Sequence, residues 1–397
     1  MPKNNDRGFT AEETRSRDEA RARHRRKARR TAIRRLVIFL IVLVLGFLAW
    51  RYWDVVNPKT LAEKLQSELS GSIGEYPIDI SGTNVARIAV SDNCIVTVDD
   101  SHVIFYDKDG GEVNRTTCVF ADPLVRTAGK YTLLASQGSK RVQLLTRSAT
   151  LLDLTMTQDV LTVALNSKGQ FAVLMQGGQG YSVELAVYNR KGKLLYTRSR
   201  TRLATDVALS PNGSTVALIS TDTAGGTLTG TVEVFSLSSN KEAIYSYTTD
   251  SALLYKLAYF DNGKLVAVGE DGALFIDPSK ATTVPYSVNT QRVLSCAFGS
   301  HSIALVLREY GDTDGGKALL LTDGNTVAAS VDFAGEYRYL TAKGDRFLLL
   351  TDSQIIRFEK TGNPVSAAVN ADGQQAVLSN DRAIVLGINS IQAYTID

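Results

Sequence analysis

Chemistry-bearing side chains are scarce in this 397-residue chain, which has three histidines, three cysteines and two tryptophans. His24 lies in a basic N-terminal stretch. Only His102 and His301 remain for a metal site or an acid–base relay, and they fall in two different loop classes of the repeat described below. A paired-histidine metal site and Ser-His-Asp hydrolysis are therefore disfavoured. Cys94, Cys118 and Cys296 form no CxxC pair. Cys94 and Cys118 read as lying on either side of an intervening strand, roughly 9 to 10 Å apart, too far for a disulfide. All three are expected to pack as small apolar residues. P-loop, HExxH and GxSxG patterns are absent, and no catalytic residue, cofactor or metal is called for.

Charge is plentiful but unevenly placed. Residues 1–35 carry 13 Lys or Arg against 5 Asp or Glu, and the rest of the chain carries 31 against 36. Between these regions stands LVIFLIVLVLGFLAW, Leu36 to Trp50, without a charge. As a helix it spans roughly 22 Å, so Arg35 and Arg51 would snorkel outward to complete a membrane crossing. Trp50, Tyr52 and Trp53 would form the far interfacial belt. A signal peptide is the rival reading, but the preceding segment is long and no small-x-small cleavage site follows. A buried core helix fits poorly, being apolar all round and bounded by arginines.

These features predict a single-pass plasma-membrane protein with a basic cytoplasmic tail (1–35), a transmembrane helix with its belt (36–56) and the remainder outside. The membrane lipid is the partner of residues 36–56. Abutting a span, RSRDEARARHRRKARR points to the anionic inner leaflet rather than to nucleic acid. A short helix is predicted over 57–71, with Thr60 and Glu63 at capping-box spacing, Leu61, Leu65 and Leu69 on one face and Gly71 at its end. That face packs on the next domain or lies on the bilayer.

From Glu75 onward helix-period patterns are missing, and short runs rich in Val, Leu, Ile, Thr and Tyr alternate with Gly, Asn, Asp and Ser turns. The runs recur in sets. One element is a hairpin, as in VALNSKGQFAVL, VALSPNGSTVALI, LAYFDNGKLVAV and YLTAKGDRFLLL. The other is an aromatic followed by a Gly turn, as in FYDKDGGEV, VYNRKGKLL and RFEKTGNPV. FYDKDGGEV could be a calcium loop, but the same spacing recurs with the acids replaced, so a strand-to-strand turn is expected there. The same holds for DTDGG at Asp312 to Gly316.

Units beginning near Val85, Leu124, Leu161, Thr205, Leu254, Arg292, Tyr337 and Gln374, each of four strands a to d, predict an all-β, eight-bladed β-propeller over 75–397. Seven blades, with one unit misread, is the alternative. The last unit has three strands, and EYPIDISG, Glu75 to Gly82, is expected to supply the fourth and close the ring.

ALSPNGSTVALIS, Ala208 to Ser220, resembles the repeat hairpin of WD40-like and quinoprotein-like propellers, with Asn212 in place of the usual Asp. The overall arrangement is similar to a family of uncharacterised membrane-anchored propellers of Gram-positive anaerobic bacteria, a family of unknown function with no activity to transfer. Trp53-Asp54 is the only Trp-Asp pair and lies at the membrane interface. Both tryptophans are spent at the anchor, so the tryptophan docking of quinoprotein blades is missing and a quinone is not expected.

Function is sought on the loops. Three b-to-c loops are long and Gly-rich: QGGQGYS, STDTAGGTLTGT and REYGDTDGGKA. They share a face with the d-to-a connections, to which Asp122, Asp159, Asp206 and Asp250 are assigned. With Tyr181, Tyr310, Asp312 and Asp314 these residues make the candidate binding face. The favoured function is a membrane-tethered extracytoplasmic binding or scaffolding module for a protein, peptide or cell-wall ligand. The alternative is a hydrolase or lyase using paired carboxylates in the propeller channel. A sensor signalling through the tail is disfavoured, because the tail has no output domain.

Overall fold

The computed structural model describes residues 74–224, 226–239, 242–249 and 253–396. The basic tail, the apolar segment, the linker helix and Asp250 lie outside them. Among the described residues no helix is long and apolar enough to cross a membrane.

Every regular element described is a strand, and the strands form eight four-stranded antiparallel sheets. Seven sheets use consecutive strands, the first being Arg87–Ser91, Cys94–Val98, His102–Tyr106 and Glu112–Thr117. The first strands of the blades are Arg87–Ser91, Pro123–Ala128, Val160–Leu165, Leu203–Leu209, Leu254–Tyr259, Gln291–Phe298, Tyr337–Lys343 and Gln375–Ser379. Each begins within two residues of the expected unit start. Eight blades are therefore present, and the seven-bladed alternative falls.

The eighth blade has three strands from the C-terminal region and takes its outer strand from Ile78–Asp79, pairing Ile78 with Ile391 and Asp79 with Ser390. Without that pairing the Ser390–Thr395 strand would offer an open edge. Closure also buries Ile391 fully and Ile80 almost fully, in a cluster with Ile88, Ile95 and Ile384.

The period-2 pattern explains why the blades need one another. Second and third strands are apolar on both faces, as in the second strand Tyr131–Ser136 and the third strand Gly272–Asp277, whose residues are buried nearly throughout. A single sheet leaves one such face uncovered. Among the described residues the apolar side chains form eight clusters, each shared by two neighbouring blades. Outer strands such as Glu112–Thr117 alternate exposed with half-buried positions, as expected for the rim.

FYDKDGGEV is the turn between the third and fourth strands of blade 1. The Asp107 carboxylate accepts hydrogen bonds from the Asp109 and Gly111 amides at 2.9 and 2.8 Å. Gly110 has φ +92°, and a Cβ there would sit 3.4 Å from the Ile78 side chain of the closing strand. Glu112 is clamped by Arg115 at 2.6 Å. In VYNRKGKLL, Asn189 does the work of Asp107, accepting from the Lys191 and Lys193 amides. The acids serve the turn and its neighbours, and a neutral amide serves equally well.

Candidate functional site

The face carrying the second-to-third-strand and fourth-to-first-strand connections is where a binding surface was expected. STDTAGGTLTGT is not a loop. Its residues continue the second and third strands of blade 4, Thr215–Ala224 and Thr227–Ser236, into a ten-residue ladder that pairs as far as Ala224 with Thr227. The body of this hairpin is buried at Val216 to Ile219, whereas Thr227 and Leu228 near its tip are exposed. Threonine-rich alternation suits such a ladder, but the lack of apolar residues made it read as a loop. Arg202 grips the hairpin through Asp222 at 3.0 Å.

The other two connections are loops. Tyr181 lies in residues 177–182 of blade 3, folded by Gly177 N–H to Ser182 O and Tyr181 N–H to Gly178 O bonds. Tyr310, 65% exposed, leads residues 310–315 of blade 6, whose far end is held by Arg308 Nε donating to Gly315 O at 2.9 Å. Asp312 and Asp314 are exposed on that loop. Asp122 and Asp159 lie on the connections into blades 2 and 3, Asp122 exposed and within 3.6 Å of Arg87. The candidates thus fall into two groups, one over blades 1 to 3 and one over blade 6, with the blade 4 hairpin between them.

Asp206 does not belong to this face. It is the fourth residue of the first strand of blade 4, 5% exposed, and its carboxylate accepts the Leu257 amide of blade 5 at 2.9 Å. The strand begins at Leu203, and a register shift between Ala204 and Asp206 turns the side chain inward. Burial pushes its pKa above the usual carboxylate range, opposed by the charges of Lys256 and Arg126.

Around the ring axis the first strands enclose two cavities. One, of about 680 Å³, is lined from blades 1, 2, 5, 7 and 8; the other, of about 530 Å³, from blades 2 to 7. Arg126, Lys256 and Tyr339 line both. The carboxylates on these walls are Asp92 in the first cavity and Asp206 in the second, so neither holds the paired acids that a carboxylate-dependent hydrolase or lyase would use. Arg87, Arg126, Lys130, Lys256 and Lys343 make the walls basic. Sequence reasoning missed this set because inward orientation depends on how the blades assemble.

The isolated histidines are both tied locally. His301 Nδ1 is 3.2 Å from Asp345 Oδ2, and Asp345 Oδ1 accepts the His301 amide at 2.8 Å and the Ser302 hydroxyl at 2.6 Å. Because Ser302 bonds the carboxylate rather than the imidazole, the trio lacks the Ser-to-His relay of a hydrolase. Burial alone would raise the Asp345 pKa, but these hydrogen bonds outweigh it and hold the group below its usual range. His102 lies 3.7 Å from Asp99 at the opposite end of blade 1. Cys94 and Cys118 are buried in one cluster with Val96, Phe105 and Phe120. Cys296 lines the axial channel, where burial pushes its thiol up to about 12.

A family model described as Family of unknown function (DUF5711) matches residues 73–392. Among curated proteins none matches the chain. Solved structures resemble it in fold: Sqt1 from Chaetomium thermophilum is 13% identical, with TM-score 0.55 over 82% of this chain and 98% of that one. The same protein bound to the N-terminus of ribosomal protein L10 gives TM-score 0.54 at 13% identity, covering 80% and 98%. A eukaryotic initiation factor gives 0.52 at 12% identity, covering 80% and 87%. At these identities the likeness is one of fold alone.

Proposed function

This chain belongs to the DUF5711 family of unknown function, and on that premise we propose that it is a membrane-tethered binding or scaffolding propeller. Its partner is a protein, a peptide or a cell-wall ligand, engaged through the face that carries the blade 4 hairpin and the Tyr181 and Tyr310 loops. In this reading residues 36–56 anchor the chain in the plasma membrane, the basic tail rests on the anionic inner leaflet, and the propeller stands outside. The observation that carries the proposal is the ordered blade 4 hairpin, which exposes Leu228 on the same face as exposed Tyr310 and Tyr181. Tyrosine is among the residues that most often anchor protein recognition, and an exposed apolar neighbour such as Leu228 adds surface that a partner can cover. Asp122, Asp159, Asp312 and Asp314 give that face an acidic rim. Sqt1, of similar fold, is described bound to the N-terminus of a ribosomal protein, which supports a protein or peptide partner here.

Photo-crosslinking amino acids placed singly at Leu228, Tyr310 and Lys360 in the full chain in native membranes test the reading. Lys360 is exposed on a third-to-fourth-strand turn, at the other end of the blades. Discrete adducts from Leu228 and Tyr310 but not from Lys360 are expected. Equal labelling from all three, or none from the first two, would overturn the proposal.

A further inference from the structure

Residues 74–397 carry 28 Lys or Arg against 33 Asp or Glu, so the propeller is acidic as a whole. Its axis is not. Five basic residues line the two axial cavities against two acids. Asp206, one of those acids, is buried and committed to the Leu257 amide. Asp122 offsets Arg87 at 3.6 Å, but like charges lining the rest of one channel repel one another unless something offsets them.

The cations are also underused by the protein itself. Among the described residues no carboxylate lies within ion-pair distance of Arg126, Lys256 or Lys343; the one hydrogen bond from the Arg126 guanidinium goes to its neighbour's Val125 carbonyl. Lys256 is exposed, although the channel surrounds it. Its placement has a structural cause. In blades 4 to 7 the first strand shifts register once against the second, and the residues just past the shift are Asp206, Lys256, Ser295 and Tyr339, all four of which line the second cavity. Bulges of this kind re-aim side chains. Tyr339 shares the wall of the first cavity with Arg87 and Arg126, and its neutral phenol is a hydrogen-bond donor.

We propose that the axial channel is a binding site for a small polyvalent oxyanion, phosphate- or carboxylate-based, held where the two cavities meet by Arg126, Lys256 and the Tyr339 hydroxyl. The donors suit that class: a planar guanidinium fork, a mobile ammonium and a neutral hydroxyl all give hydrogen bonds to oxygen. Arg87 and Lys343, farther along the wall, draw the anion in from either end. The cavity volumes fit a small molecule. This site is separate from the loop face and stands or falls apart from it.

Titration calorimetry on the purified full chain tests the proposal, with pyrophosphate and citrate as probes and a short poly-glutamate peptide as a third arm. Binding of one or both small anions, weakening with added salt, is expected. Lys256→Gln and Arg126→Gln should each weaken it tenfold or more, and Tyr339→Phe by less. Lys193→Gln, on an exposed outer turn, should leave it unchanged, and thermal melts of each variant verify folding. Pyrophosphate over citrate would assign a phosphate ligand, and the reverse a carboxylate. Three outcomes overturn the site: no binding of either small anion, binding of the peptide alone, or binding that Lys256→Gln and Arg126→Gln leave intact in folded protein.

Discussion

The Asp206 carboxylate of blade 4 accepts the Leu257 amide of blade 5 at 2.9 Å. This is an inter-blade bond made by an acid that burial holds partly against ionisation, with Lys256 and Arg126 pulling the other way. Because its folded pKa is raised, the native state holds the proton more tightly than the unfolded chain. Its contribution to stability is fully present below the unfolded value near pH 4 and is lost as pH rises through the raised folded value. Asp206→Asn keeps an acceptor for Leu257 without the charge and should be at least as stable as the parent at pH 8. Asp206→Ala orphans the amide and should fall about 1–3 kcal/mol below Asp206→Asn. Urea unfolding at pH 5 and pH 8 checks both. A parent and an Asp206→Asn variant with the same pH slope would refute the assignment.

Asp345 carries the opposite sign. Its folded pKa is lowered, so its contribution is present above pH ~4 and is lost as pH falls through the folded value. Since it joins the first-to-second-strand turns of blades 6 and 7 through Ser302 and His301, Asp345→Ala should cost about 1 kcal/mol, discounted for its partial exposure. A double-mutant cycle with Ser302→Ala should show a coupling of at least about 0.5 kcal/mol. Additive single effects would mean that the short Ser302 contact contributes nothing. The acid limb of the stability profile should flatten in Asp345→Ala.

Much of this fold was legible in the sequence, for a local reason. Strand alternation and Gly turns are properties of a few adjacent residues, so the eight unit starts could be placed to within two residues and the closing strand to within an eight-residue segment, of which Ile78–Asp79 pairs. The axial site was not legible. Whether Lys256 points to the axis or into the sheet depends on a one-residue register shift against the second strand, and that shift leaves no mark in LYKLAY. The same blindness put Asp206 on a loop. The blade 4 hairpin was misread for another reason: its glycines and lack of apolar residues masked the strand preference of its threonines, yet a ladder continuing an already folded hairpin needs few apolar residues.

Ring closure rests on a two-residue pairing. Ile391 is fully buried against the closing strand, and Ile78 opposite it is half-buried. Ile391→Ala should therefore cost about 2–5 kcal/mol and Ile78→Ala less. Deleting residues 74–80 should leave the Ser390–Thr395 edge unpaired, and size-exclusion chromatography should then show self-association. A deletion variant that elutes like the parent and is as stable would show that the ring holds without its outer strand.

The blade 4 hairpin separates recognition from architecture. Its buried part, Val216 to Ile219 with Val232 to Phe235, belongs to the inter-blade clusters, whereas the pairs from Asp222 with Thr229 to Ala224 with Thr227 extend beyond them. Replacing residues 222–229 by a two-residue Asn-Gly turn keeps the ladder and removes the tip together with the Arg202–Asp222 pair. An exposed ion pair and a solvated turn contribute little, so the unfolding free energy should change by less than about 1 kcal/mol. Crosslinking from Tyr310 in native membranes should nonetheless drop severalfold if the tip contacts the same partner. A large loss of stability would make the tip structural, and undiminished crosslinking would confine recognition to the Tyr310 loop.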